Sequence, residues 1–72
     1  MKTVDARGHR CPVPTLRLRK ALEGLGLGDR LTLLADDPMA RIDVPHFISQ
    51  AGARLIEQKD DGKDLIFLVE KG

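Results

Sequence analysis

The sequence predicts an α+β two-layer sandwich. Two helices pack on one face of a four-stranded mixed sheet, in the order β-α-β-α-β-β. Three observations predict it. A leucine-rich strand pattern, "RLTLLA", follows a helical pattern that runs from Pro12 to Leu25. A second helical window follows that strand. Two further strand patterns flank "KDDGK", whose Asp-Gly pair signals a hairpin.

Each element has its own justification. Residues 2 to 6 favour a strand, and Gly8 breaks it. In the first helix Pro14, Leu18, Ala21, Leu22 and Leu25 fall on one side at about 100° per residue. Arg17, Arg19 and Lys20 fall elsewhere on it, and Gly24, Gly26 and Gly28 end it. The second strand spans Arg30 to Ala35. Asp36, Asp37 and Pro38 resemble a helix start, with an acid as cap and proline in the first turn. Pro45, two residues after Asp43, predicts a break there. The expectation is a short turn over 38–42, then a helix from Val44 to Ala51 ended by Gly52. Residues 53–59 and 64–70 read as strands. The first two strands should be parallel through a right-handed crossover, and the final pair antiparallel. The far sheet face is then open. "LIFLV", residues 65–69, is apolar on both alternations, which suits either ordinary surface or a docking or dimer face.

The chain has 72 residues, without repeat or linker, so residues 1–72 read as a single domain. Twelve basic side chains meet eleven acids, for a net charge of +1, and the only aromatics are Phe47 and Phe67. That composition argues against direct nucleic-acid binding, by basic patch or by stacking. The longest apolar run, Leu65–Val69, is far too short for membrane insertion. "MKTVD" lacks the apolar run of a signal peptide. One cysteine cannot pair within the chain, which suits a reducing compartment. A cytoplasmic monomer without cofactor is the expectation.

That cysteine, Cys11, stands in "RGHRCPVPTLRLRK". A lone cysteine is often a compact core residue. Here Arg10 and the start of a helix flank it, which is the setting of a reactive thiol. Cys-His hydrolysis needs a base and an orienting group. His9 is near in sequence, though a surface-loop role suits it better, and the only other histidine is His46. A disulfide oxidoreductase wants Cys-x-x-Cys, and Pro14 occupies the second place. One cysteine and two histidines are too few for structural zinc, so no metal is expected. Exchange through a mixed intermediate with another protein fits one accessible sulfur. Pro12 and Pro14 lack N–H groups and bias Cys11 and Val13 away from helical angles, so the helix should begin at Pro14. The thiol pKa should lie below the free value of about 8.5 but above the roughly 3.5 of the most acidic helix-start thiols.

"DARGHRCPVP" resembles the signature of the TusA/SirA family of small sulfur-carrier proteins. Cys11, Pro12 and Pro14 match its Cys-Pro-x-Pro motif, and Asp5, Arg7 and Gly8 match the preceding Asp-x-Arg-Gly. Arg19 and Lys20 match an Arg-Lys pair, while Ala35–Pro38 and Asp43–Pro45 match two later segments. His9 departs from the pattern, standing where an apolar residue is usual. The resemblance covers nearly the whole chain. It implies the same sandwich, and a cysteine, Cys11, that carries sulfur as a persulfide. A cysteine desulfurase or rhodanese-like protein would donate the sulfur, and a second protein would accept it, each in a transient complex. In one branch of the family the sulfur ends in 2-thiouridine of tRNA. Others serve sulfur oxidation, molybdenum cofactor synthesis, thiosulfate uptake or selenium handling, and no residue here selects among them. Such a carrier forms a covalent intermediate but has no turnover without its partners.

Around the thiol, Arg17, Arg19 and Lys20 are either a solvated helix face or a docking surface. Asp36 and Asp37 are helix caps or, alternatively, docking acids. Arg7 and Asp5 are placed to pair and hold the loop, with Arg10 beside the thiol. Two rival functions stand beside the carrier. A thiocarboxylate carrier uses a Gly-Gly tail, whereas this chain ends Val-Glu-Lys-Gly. A regulatory or structural interaction module would make the cysteine incidental.

Overall fold

The computed structural model describes residues 2–10 and 12–72. Met1 and Cys11 lie outside the described residues. The elements are β1 (Lys2–Asp5), α1 (Val13–Glu23), β2 (Arg30–Ala35), α2 (Ala40–Gln50), β3 (Arg54–Asp60) and β4 (Leu65–Glu70). This is the expected order, and β2 has the expected bounds.

Strand alternation decides which sheet face is dry. Leu31, Leu33 and Ala35 of β2 are buried, as are Leu65, Phe67 and Val69 of β4. They share one core with Leu18, Ala21 and Leu22 of α1 and Ala40, Val44 and Ile48 of α2. Pro14 is also fully buried, so the predicted apolar stripe of α1 is the one that packs. The strand order is β1-β2-β4-β3. β1 and β2 are parallel, and β4 pairs antiparallel with β2 and with β3. The open face carries a half-buried apolar centre of Leu34, Ile66 and Leu68. Asp5 lies beside Leu34, Lys59 beside Ile66 and Glu57 beside Leu68.

Three local expectations are corrected. First, α2 is not broken at Pro45; it runs continuously over Ala40–Gln50 with Pro45 inside. A proline there removes one hydrogen bond. Ala40, Val44 and Ile48, four residues apart, are all buried, and that stripe keeps both halves on one axis. Second, neither Asp36 nor Asp37 caps α2, whose N-cap is Met39 without a side-chain bond. A turn intervenes: Ala40 N–H donates to the Asp37 carbonyl at 2.9 Å and Arg41 N–H to that of Pro38 at 3.2 Å. The Asp37 carboxylate accepts Met39 N–H at 3.1 Å and so closes this turn instead. Third, α1 begins at Val13 and not at Pro14, with Pro12 as N-cap. Leu16 N–H donates to the Pro12 carbonyl at 3.0 Å, which draws Val13 into the first turn. The extended conformation expected at Cys11 falls on a residue outside those described.

Candidate functional site

The parallel β1–α1–β2 unit places the loop before Cys11 at the C-terminal ends of both strands. Open α/β sheets gather their sites at that edge. Ala6 is fully buried, and its N–H donates to the Leu34 carbonyl at 2.8 Å, so the loop leaves the sheet from a fixed point.

The next residues are tethered one by one. The Arg7 guanidinium donates to both carboxylate oxygens of Asp5, at 3.0 and 2.9 Å, and Arg7 N–H donates to Asp5 Oδ1 at 3.0 Å. These bonds favour the ionised carboxylate and hold Asp5 at about 2, below its ordinary 3.8. Arg7 is pushed further upward by Asp5 and then by Asp64, to which it donates at 3.3 Å. It thus reaches past the end of β2, from β1 to the start of β4. Gly8 has φ 83°, and its N–H donates to both carboxylate oxygens of Asp36 at 3.0 Å. Arg17 on α1 donates to the Asp5 carbonyl at 3.3 Å and lies 3.3 Å from His9 Nε2. A guanidinium can only donate, so in that contact the imidazole nitrogen accepts.

Val13 N–H donates to the Arg10 carbonyl at 2.9 Å. Both described neighbours of Cys11, Arg10 and Pro12, are exposed. The expected Arg7–Asp5 pair is therefore present, and Gly8 adopts the conformation that favours glycine. Asp36 is brought to the loop, but as a tether rather than a cap. Asp64 and the Arg17–His9 contact were not anticipated. Asp64 reads in the sequence as one more hairpin acid, and only the strand order puts it within reach of Arg7.

The three cations of α1 do not share a face. Arg17 and Lys20 flank a groove beside β1. Arg19 lies 3.7 Å from Glu23 and lines a hollow of about 300 Å³ with Pro12, Leu16, Asp43, His46 and Phe47. Leu16, Met39 and Ile42 expose 55%, 51% and 67% of their surface, leaving apolar side chains in the first turns of both helices. Among the described residues, no helix is long and apolar enough to cross a membrane.

A family model described as sulfurtransferase TusA matches residues 2–71. This chain belongs to the TusA family. The fold is also similar to the crystal structure of a SirA-like protein from Desulfitobacterium hafniense, with a TM-score of 0.87 and 31% identity. That match covers 100% of this chain and 99% of the other. A TusA-family domain is a sulfur carrier of the sulfurtransferase type, one that works with partner proteins. In the sequence, the tethered loop immediately precedes Cys11-Pro12-Val13-Pro14.

Proposed function

We propose that this TusA-family chain carries sulfane sulfur as a persulfide on Cys11, between a donor protein and an acceptor protein. The observation that carries the reading is the single cysteine in Cys-Pro-x-Pro, preceded by a loop tied to β1, β2, β4 and α1. The Cys11 thiolate attacks the outer sulfur of a donor persulfide. A new S–S bond forms, the donor's S–S bond breaks, and the donor thiolate leaves. An acceptor nucleophile then takes the outer sulfur and returns Cys11 as thiolate. Neither transfer needs an external oxidant. Delivery toward tRNA 2-thiouridine is one outlet, and the exposed end around Arg10, Pro12 and Leu16 is the surface a partner meets first. A cytoplasmic setting suits the unpaired thiol.

The test is mass spectrometry after incubation with a persulfide donor. Wild type should gain about one sulfur per chain by exchange at the thiolate. Cys11→Ser should gain none, and an equal gain in that variant would overturn the reading.

A further inference from the structure

We infer that the groove between β1 and α1 docks an acidic, extended segment of a partner protein. The groove is lined by Lys2, Thr3, Val4, Arg17, Lys20 and Ala21 and encloses about 600 Å³. Its charged side chains are all cations. The hollows nearby each carry an acid: Glu23, Asp43 or Asp29. Elsewhere Arg7, Arg19, Arg30, Arg41 and Lys59 each face a carboxylate. Among the described residues Lys2, Arg17 and Lys20 are in no ion pair, and neither are Arg10, Arg54, Lys63 and Lys71. What sets the groove apart is that three of these seven cations lie together on one strip with no acid in its lining.

The backbone suggests the shape of the guest. Among the described residues β1 pairs only with β2, which leaves its other edge free there. Ala6 N–H points to β2, so the Asp5 carbonyl of the same peptide points to the free edge, where Arg17 binds it. The alternation of a strand turns the Thr3 peptide groups the same way. A segment added there pairs its backbone with this edge and turns every second side chain toward the helix side. Lys2, Arg17 and Lys20 wait on that side, so acids at alternate positions meet them. Lysine on a short edge strand discourages neutral or basic strands, which makes the edge selective. Arg17 also touches His9, so the groove begins at the thiol loop. The inference rests on the sulfur-carrier reading, which requires a partner at that end.

The probe is an acetylated Glu-Val-Glu-Val-Glu peptide, with Gln-Val-Gln-Val-Gln as control, titrated at low salt into ¹⁵N-labelled protein. Saturable amide shifts are expected at Thr3, Val4, Arg17 and Lys20 with the acidic peptide only. Lys2→Glu with Lys20→Glu should weaken binding about tenfold, while Lys59→Glu on the other sheet face should not. Equal binding of the glutamine peptide, shifts spread over all basic residues, or no loss in the double variant would overturn the inference. A short oligouridine that shifts the same amides more strongly would overturn it too, in favour of nucleic acid. If the double variant does not fold, the wild-type shift map and the two peptides decide. Persulfide loading of wild-type Cys11 by a small-molecule donor is read on the same sample. A chain that loads but ignores the peptide loses only the groove, and one that does not load loses the carrier reading.

Discussion

The loop before Cys11 and the β3–β4 turn are both exposed, and each has a glycine at positive φ: Gly8 at 83° and Gly62 at 92°. They are held in opposite ways. The hairpin turn closes on itself. Asp60 accepts Gly62 N–H at 2.9 Å, and Asp61 accepts Lys63 N–H at 3.0 Å and Asp64 N–H at 2.7 Å. Those bonds, that from Asp64 foremost, lower the Asp61 pKa. The thiol loop instead relies on Asp36, Asp64 and Arg17, which are 28, 57 and 12 residues from the groups they bind. A turn built from its own residues forms wherever its sequence occurs. A loop built from distant residues has its shape only in the assembled fold, so folding and the shape of the segment before Cys11 are coupled. Asp64 joins the two regions, since its backbone closes the hairpin and its carboxylate holds Arg7.

The largest break in this contrast is expected from Asp36→Ala. It removes both acceptors from Gly8 N–H while leaving the buried core untouched. Loss of a hydrogen bond to a charged group at an exposed site should cost about 1 kcal/mol of stability. Misplacing a reacting group by about an ångström costs far more in rate, up to roughly a hundredfold. Sulfur loading of Cys11 by a partner donor should therefore slow about tenfold or more, with far-UV circular dichroism unchanged. Asp36→Asn, which keeps one acceptor oxygen, should recover part of the rate. Equal loading rates in all three proteins would show that the tether does not position the thiol.

Gly62→Ala is the counterpart on the hairpin. A left-handed conformation costs a non-glycine residue roughly 1–2 kcal/mol, and added Cβ atoms meet nothing within 4 Å there. Stability should fall by about 1 kcal/mol, which for a domain this size lowers Tm by about 4–8 °C. Loading of Cys11 should not change. A loading defect as large as that of Asp36→Ala would mean that the two regions communicate through Asp64 more strongly than the single 3.3 Å contact suggests.

The same contrast explains what was legible in the sequence. The Asp-Gly hairpin, β2 at Arg30–Ala35 and the buried stripe of α1 all rest on local pattern, and all were readable. The Asp5–Arg7 pair is local too, two residues apart. The bidentate tether from Asp36 and the reach of Arg7 to Asp64 depend on the order β1-β2-β4-β3, which no spacing along the chain encodes. Pro45 misled for a related reason. Its local penalty is about 3 kcal/mol in a helix interior. Burial of Ala40, Val44 and Ile48, on both sides of the proline, outweighs it in the fold.

The smallest effect expected is that of acid. Asp5 is exposed, so its pair with Arg7 is screened, and its depressed pKa reports local hydrogen bonds more than overall stability. In the unfolded chain Asp5 returns to its ordinary 3.8; in the folded loop it stays ionised down to about 2. Its stabilising contribution is thus fully present above pH 3.8 and is lost as pH falls through about 2. Asp5→Asn should be slightly less stable than wild type at neutral pH, and the two should converge across that acid window. Chemical denaturation from pH 7 to 2 would measure it. The Arg7 side-chain resonances, followed in the same series, should keep their folded-loop shifts to below pH 3 in wild type and lose them at every pH in Asp5→Asn. A stability difference that does not change across that window would mean that Asp5 titrates as an ordinary surface carboxylate. The loop would then owe its shape to Asp36, Asp64 and Arg17.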